Sequence, residues 1–433
     1  MSDNLKDPQN TDICIIGGGM VGTSLALLLS SFKLDWNIQI IDSNTLEGEP
    51  KKNSVDKFDA RTTALSQSSY EIFQALGLWK KLSINTTSIN EVHISDKGCF
   101  GSVKLKAQEQ NLEALGYVIE NERINEALFK AVQTIDDIEI IDSAQVNQIQ
   151  PVSGAVELCY TKKSQPNKTK RLKAKLLVLA DGSKSDSRNL LGIESTVKDY
   201  GQTAIVTNII FSKNHNNIAY ERFTDSGPLA VLPLKKIDNH NRGALVWTVA
   251  PSKAEELLSM PKNEFLKELQ SIFGFRLGDL VDVSSRFSYP VKLVVSKEQA
   301  RSNIVVVGNA VHALHPVAGQ GFNLAFRDIA ALADKLAKSS SKKIALGQYE
   351  VLEEYVEYQA RDQQQTILLS DLLPNVFGSR SLFIKVARNI GLLALDSIPL
   401  LKTNFAKLGM GLQTRGLRLK ASDRSSFTAS NSE

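Results

Sequence analysis

Residues 12–42 read DICIIGGGMVGTSLALLLSSFKLDWNIQIID, and the reading of this stretch decides the fold. Asp12 to Gly17 is an apolar run ended by glycine, the pattern of a short strand buried on both faces. MVGTSLALLLSSF predicts a helix, and NIQIID, Asn37 to Asp42, a second strand. Together they make a βαβ unit. Between strand and helix stands Gly17-Gly18-Gly19-Met20-Val21-Gly22, a G-x-G-x-x-G. Gly17 permits the tight turn, Gly19 lets a pyrophosphate approach the backbone, and Gly22 lets the helix pack closely on the sheet. The helix N-terminus supplies N–H donors and the positive end of a dipole. Asp42 ends the second strand, where a carboxylate accepts ribose hydroxyls. Strand, glycines, helix, strand and acid in this order predict dinucleotide binding.

Working outward, EPKKNSVDKFDA is a polar loop, and SQSSYEIFQALG a helix closing at Gly77. ERINEALFKAV is helical, IEIID is a strand, and KLLVLADG, Lys175 to Gly182, is a strand ended by Asp-Gly. After Tyr200 the character changes. QTAIVTNIIFS, PLAVLPL and GALVWTVA predict an antiparallel sheet, interrupted by the helix KNEFLKELQSIFG. NIVVVGNA returns to the buried-strand pattern. The helix after it carries Ala325, Ile329, Leu332 and Leu336 on one face. From about Glu350 the chain is helical, and Ala421 to Glu433 is a Ser/Asn-rich tail expected to be disordered.

At 433 residues two intertwined lobes are the natural expectation. A net charge of +4, with no Arg/Lys run interleaved with aromatics, argues against a nucleic-acid groove. Cys14, Cys99 and Cys159 are odd in number and scattered, so neither a disulfide framework nor a metal knuckle is expected, and a reducing cytosol fits. His312 and His315 lack a nearby Cys or carboxylate in sequence to complete a tetrahedral set, so no metal site is expected. The polar, acidic N-terminus does not read as a signal or transit peptide. SLFIKVARNIGLLALDSIPLL is broken by Lys385, Arg388, Asp396 and Pro399, so no bilayer span is expected.

Two later fragments also follow strands: Asp181-Gly182-Ser183-Lys184-Ser185-Asp186-Ser187-Arg188, and GNAVHALHPVAGQGFNLAFRD from Gly308 to Asp328. Ligands of open α/β sheets sit beyond the carboxyl ends of the strands, so three such fragments converge on one long cofactor. On these motifs the chain resembles the flavoprotein aromatic hydroxylases built like para-hydroxybenzoate hydroxylase. That class holds FAD with a G-x-G-x-x-G, a D-G-x-x-S-x-x-R and a G-D-x-x-H-x-x-x-P-x-x-G-Q-G segment. Here the second is Asp181, Gly182, Ser185 and Arg188; the third is Gly308, Asn309, His312, Pro316, Gly319, Gln320 and Gly321. DARTTALSQSSYEIFQALGLW, LGYVIEN, DYGQTAIV and FNLAFRD are similar to the ubiquinone-biosynthesis branch. Asn309, where the class usually has Asp, resembles the 2-polyprenyl-6-methoxyphenol hydroxylases rather than their paralogues.

The resemblance implies a mixed α/β fold: a Rossmann-like FAD-binding domain (1–199 and 285–355), an inserted antiparallel β-rich substrate domain (200–284) and a helical C-terminal region (356–433). It implies that NAD(P)H reduces FAD, that reduced flavin activates O2, and that one oxygen atom reaches the ring of a polyprenyl phenol. Gly17, Gly19 and Gly22 then meet the pyrophosphate, and Asp42 the adenosine ribose. Arg61 lies along the flavin and phosphates, the alternative being a surface ion pair with Asp59. Asn121 is a cofactor contact or only a helix N-cap. Asp181 and Gly182 meet the cofactor edge or form a simple turn. Asn309 approaches the ribityl chain or phosphates. Pro316 fixes the loop, and Gly319, Gln320 and Gly321 open a helix running from Asn323 whose N–H groups stabilise negative charge on reduced flavin. No catalytic side chain is assigned; Tyr220, Arg222 and His215 in the β-rich lobe read as ordinary sheet residues. Competing readings are a paralogous hydroxylase acting at another ring position, a prenyl reductase or halogenase on the same fold, and a non-catalytic flavin-binding subunit of a biosynthetic complex. The W-x-W-x-I-P signature of halogenases is missing, since Trp36, Trp79 and Trp247 stand apart.

A lipid-soluble substrate must be collected from a membrane or a lipid-binding partner. Lys402, Lys407, Arg415, Arg418, Lys420 and Arg424, with Phe405, Leu408, Leu412 and Leu417 between them, suggest a basic amphipathic surface. The expectation is a cytoplasmic protein resting peripherally on the inner face of the membrane.

Overall fold

The computed structural model describes residues 8–46, 61–378 and 382–412. The first strand, Gln9–Ile16, is central to the main sheet. It pairs in parallel with Thr169–Leu179 on one side and Ile38–Ile41 on the other. Ile304–Val306 and Ile138–Ile141 extend the sheet outward, again in parallel. Ile13 and Ile15 point into one core, and Cys14 and Ile16 into another, so the continuous apolar run is buried on both faces. Burial pushes the Cys14 thiol well up, which makes it an inert core residue. The first helix, Met20–Ser31, packs on one face with Asn121–Val132 and Gln320–Ser341. The strands Ala144–Val152 and Ala155–Lys162 extend the sheet antiparallel from Thr169–Leu179.

A second sheet runs in the order His312–Ala313, Phe287–Ser296, Ser195–Phe211, His240–Val249, Gly227–Ile237, Ile218–Thr224, Glu91–Asp96 and Ser102–Lys106. It departs from expectation in two ways. Strands Glu91–Asp96 and Phe287–Ser296 come from segments assigned to the first domain, so this sheet is not a contiguous insertion of 200–284. The sheet is also not wholly antiparallel, because Ile218–Thr224 pairs in parallel with Glu91–Asp96. Both differences arise from pairings between strands far apart in sequence, which local periodicity does not encode.

The two faces of this sheet have different cover. Helices Pro251–Ser259 and Lys262–Phe273 pack on the face carrying Ile205, Leu229, Leu245 and Trp247. The opposite face looks toward the first domain and the long helix Tyr349–Gly378. The outer helix, Leu382–Ser397, is clamped to the end of Glu91–Asp96 by a buried pair, Arg388 Nη2 to Asp96 Oδ2 at 2.9 Å. The last helix is Pro399–Gly409. The loop 49–60 and the tail 421–433 lie outside the described residues.

Candidate active site

The three glycine-bearing turns meet at the carboxyl edge of the main sheet. Gly17 has φ of +110°, and a Cβ there would stand 2.4 Å from the carbonyl oxygen of Ala180. A Cβ on Gly22 would stand 1.9 Å from the Gly17 oxygen, so helix and turn touch backbone to backbone. Around Gly19, by contrast, the space is open. The first helix has no side-chain N-cap, which leaves its leading N–H groups available to an anion. A pyrophosphate fits this cradle on local geometry alone.

Beside it lies a cleft of about 330 Å3 lined by Gly17, Gly19, Asp42, Asp181, Gly182 and Ser185, among others. Asp42 Oδ2 accepts from the Gly18 N–H at 2.6 Å and Oδ1 from the Asn44 N–H at 2.7 Å, which fixes the carboxylate at the cleft wall. Asp181 braces its own loop: Oδ1 accepts from Ser185 Oγ at 2.6 Å, and Oδ2 from the Ser187 N–H at 3.0 Å. Gly182, at φ of +84°, has open space beside it. The buried Arg188 donates from Nη1 to the Ala310 carbonyl at 2.6 Å, tying the second motif to the third.

In the third motif Gly308 has φ of +65° and sits against Val21 of the first helix, while Asn309 is exposed. The helix expected from Asn323 begins three residues earlier, at Gln320, with Gly319 as its left-handed N-cap and no side-chain cap. Its first-turn N–H groups therefore face outward from the loop that Pro316 starts, and Gly321 has open space beside it. Two expected contacts take other roles. Asn323 is buried with its amide fully used: Oδ1 accepts from Ser66 N–H and Ser69 Oγ, and Nδ2 donates to the Ala64 and Gly319 carbonyls. Gln320 Nε2 donates to the Gly409 carbonyl at 3.0 Å. These side chains hold the loop helix in place, and the backbone is what faces a ligand. Asn121 is not the N-cap, which is Glu120; its Oδ1 accepts from Thr63 Oγ1 at 2.7 Å. Its N–H donates to the carbonyl of the exposed Arg61, so these two residues are brought together. Asp59 lies outside the described residues.

The histidines are neutral fixtures. Burial pushes both rings down to about 4. His315 Nδ1 accepts from the Val317 N–H, so its Nε2–H donates to Gln202 Oε1 at 3.3 Å, and the ring stands edge-on to Tyr200. That contact brings the third motif against the inner face of the second sheet. Strand His312–Ala313 reinforces it by pairing with Phe287–Ser296.

Along Ile218–Thr224 the side chains alternate. Tyr220 packs edge-on to Phe273, and Arg222 Nε donates to the Ile272 carbonyl, so both face the covering helix. His215 spends its ring on the Leu234 carbonyl and the Asn217 N–H. The three β-lobe residues singled out in the sequence thus face away from the cofactor loop or brace a turn. The residue between two of them, Glu221, faces inward with Ala219 and Phe223. Strict alternation through IAYERFT was the signal that finds it.

Two motifs line one cleft, and the third is tied to them through Arg188 and set against the inner sheet face through His315, an arrangement that fits a flavin dinucleotide. The chain belongs to the FAD binding domain family, which it matches over residues 10–365. It is 33% identical to an uncharacterised protein of Synechocystis sp., over 93% of this chain and 94% of that one. It is 29% identical to ubiquinone hydroxylase UbiL of Rhodospirillum rubrum, over 92% and 89% respectively. Among solved structures, p-nitrophenol 4-monooxygenase PnpA of Pseudomonas putida DLL-E4 shares the fold, with a TM-score of 0.75 at 16% identity over 94% of this chain and 99% of that one. The chain is thus an FAD-binding enzyme of this family, similar over nearly its whole length to a ubiquinone-pathway hydroxylase.

Proposed function

We propose that this enzyme hydroxylates the ring of a polyprenylated phenol, of the 2-polyprenyl-6-methoxyphenol type, in ubiquinone biosynthesis. The observation that carries the reading is the contact of the cofactor loop, through His315 and Gln202, with a sheet face built of small and apolar residues. Ala204, Val206, Ala230 and Val246 stand in register on that face, small and branched side chains of the kind that border an aromatic ring and keep water from it. The likeness to the Rhodospirillum ubiquinone hydroxylase supports the same pathway. Bound FAD, reduced by NAD(P)H, supplies the activation of O2. Gly17, Gly19 and Gly22 with the first helix hold its pyrophosphate, Asp42 its ribose, and Asp181, Gly182 and Arg61 its flanks. The N–H groups of Gly319 to Gly321 face the flavin ring and favour negative charge there, and Asn309 donates to phosphate oxygens without the repulsion of an Asp.

A lipid-soluble phenol has to be drawn from a membrane or from a lipid-binding partner. Among the described residues no helix is long and apolar enough to cross a bilayer. The outer helix instead exposes Val386, Ile390 and Leu393 on one face, beside Leu400 and Leu401 of the last helix. The expected basic surface is differently built: Lys402 is held by Glu109 and Asp396, and Phe405 and Leu412 turn inward. Its cations beyond Leu412 lie outside the described residues. We place the enzyme peripherally on the cytoplasmic membrane face, beside whatever complex passes on its substrate. Cells lacking the protein should accumulate 2-polyprenyl-6-methoxyphenol, read by mass spectrometry of their quinone lipids. Accumulation of an intermediate already hydroxylated para to the ring oxygen would assign a paralogous step instead.

A further inference from the structure

We infer that Glu221 is the side chain that meets the substrate's phenolic hydroxyl and takes up its proton as oxygen is delivered to the ring. This rests on the phenol-hydroxylase reading above and adds to it a named catalytic residue.

The register of the second sheet places it. Glu221 lies opposite Ala230 on one side and Ile94 on the other. Ala230 lies opposite Val246, Val246 opposite Val206, and Val206 opposite Phe287. This row shares its face with Ala204, Thr248 and Gln202, and Gln202 touches the cofactor loop at His315. On its own strand Glu221 stands between Ala219, which packs in the inner core, and Phe223, which stacks on Phe377 of the long helix at 3.7 Å. A carboxylate has therefore been set in an apolar wall that faces the cofactor loop.

Among the described residues nothing uses it. Glu221 has no hydrogen bond or ion pair among the described residues, while three charged groups on neighbouring elements are matched. Asp96 is paired with Arg388 of the outer helix, Arg242 with Glu120, and Asp371 of the long helix with Lys198. Glu221 is only half-buried, yet burial alone pushes its carboxyl up to about 7. Partial accessibility with strong desolvation describes a group looking into an enclosed recess rather than bulk solvent. An unmatched carboxylate there destabilises the fold, which marks a site kept for a ligand. Tyr289 has the same signature on the same face: it is 42% exposed, and burial raises its phenol.

The chemistry balances. The phenol O–H donates to a Glu221 oxygen, and its proton crosses as the ring carbon takes up one oxygen atom of O2. As aromaticity returns, hydrogen moves from the attacked carbon to the ring oxygen. The new ring hydroxyl keeps a proton drawn from solvent, and the second oxygen atom leaves as water with the Glu221 proton and the hydrogen of the NAD(P)H hydride, which supplies both electrons. A base with an affinity near neutrality suits this transfer.

The test compares wild type, Glu221→Gln and Glu221→Asp, each purified yellow with full flavin content, using 2-methoxy-6-prenylphenol as the probe. Product formation by E221Q should fall about 100-fold, while NAD(P)H oxidation continues and releases peroxide. The wild-type limb that declines as pH falls through about 7 should vanish in E221Q and persist in E221D with partial activity. E221Q should also melt higher than wild type at pH 8 and not at pH 4, since the buried carboxylate costs stability only once it ionises. Wild-type coupling and an unchanged pH profile in E221Q would overturn the proposal alone. A wild-type enzyme that neither binds nor hydroxylates the probe would overturn the phenol reading and this assignment with it.

Discussion

At Gly22 the addition of one methyl group is enough to separate turn from helix, because the Gly17 oxygen already occupies the place of a Cβ. Gly22→Ala should leave a protein whose first helix is displaced and whose flavin is lost. The checks are flavin absorbance after gel filtration and a melting temperature lowered by overpacking of about 1–3 kcal/mol. Glycines of this kind were legible in the sequence because their requirement is local: a strand, a turn and a helix in succession. Asp42 and Asp181 were legible for the same reason. Asn323 and Gln320 were not, since their partners, Ser66 and Gly409, are brought to them only by the finished fold. Glu221 was legible in principle by alternation. Which face of the strand mattered was not, because the covering helices belong to a later part of the chain.

The loop helix Gln320–Ser341 shows how an element can hold a site by buried polar contacts. Arg327 grips Asp362 of the long helix through Nε at 2.6 Å and Nη2 at 3.2 Å. The fully buried Asp328 accepts from Gln359 and Gln363 of the same helix, and its second oxygen lies 3.8 Å from His312 Nδ1. Burial pushes Asp328 up to about 7, so the fold prefers its neutral form. The stability it contributes is complete below the ordinary carboxyl range and is lost as pH rises through about 7. Asp328→Asn stays neutral and keeps an acceptor for the two amides. It should match wild type near pH 4 and melt about 2–4 °C higher at pH 8, an effect on the order of 2 kcal/mol, by scanning calorimetry. A variant destabilised equally at both values would show that the carboxylate is needed ionised. The first βαβ unit, the helix 122–132 and the strand before Gly308 were all readable from periodicity. The hairpin of Glu91–Asp96 and Ser102–Lys106 was not, since its place in the second sheet is set by Ile218–Thr224, a partner distant in sequence.

On the whole molecule, the proposed membrane contact rests on the exposed apolar face of the outer helix. Val386, Ile390 and Leu393 are each more than half exposed, while Leu392 and Arg388 on the opposite side are buried. The double substitution Ile390→Asp and Leu393→Asp touches nothing in the core. It should preserve flavin content and weaken co-sedimentation with anionic vesicles by about 10- to 100-fold, the worth of two buried aliphatic side chains. Unchanged sedimentation would remove this face from consideration. The motifs pointed to a flavin enzyme through the family they resemble, whereas the exposed helix face depended on how the C-terminal helices dock. The same topology has a consequence in time. The strand Glu91–Asp96 leaves the ribosome 122 residues before its parallel neighbour Ile218–Thr224 begins. At roughly 5–20 residues per second, its outer edge waits on the order of 10 seconds for a partner. During synthesis this enzyme therefore carries a hairpin with Ser102–Lys106 whose other edge stays open, and its yield in cells should track the supply of chaperones more closely than its final stability.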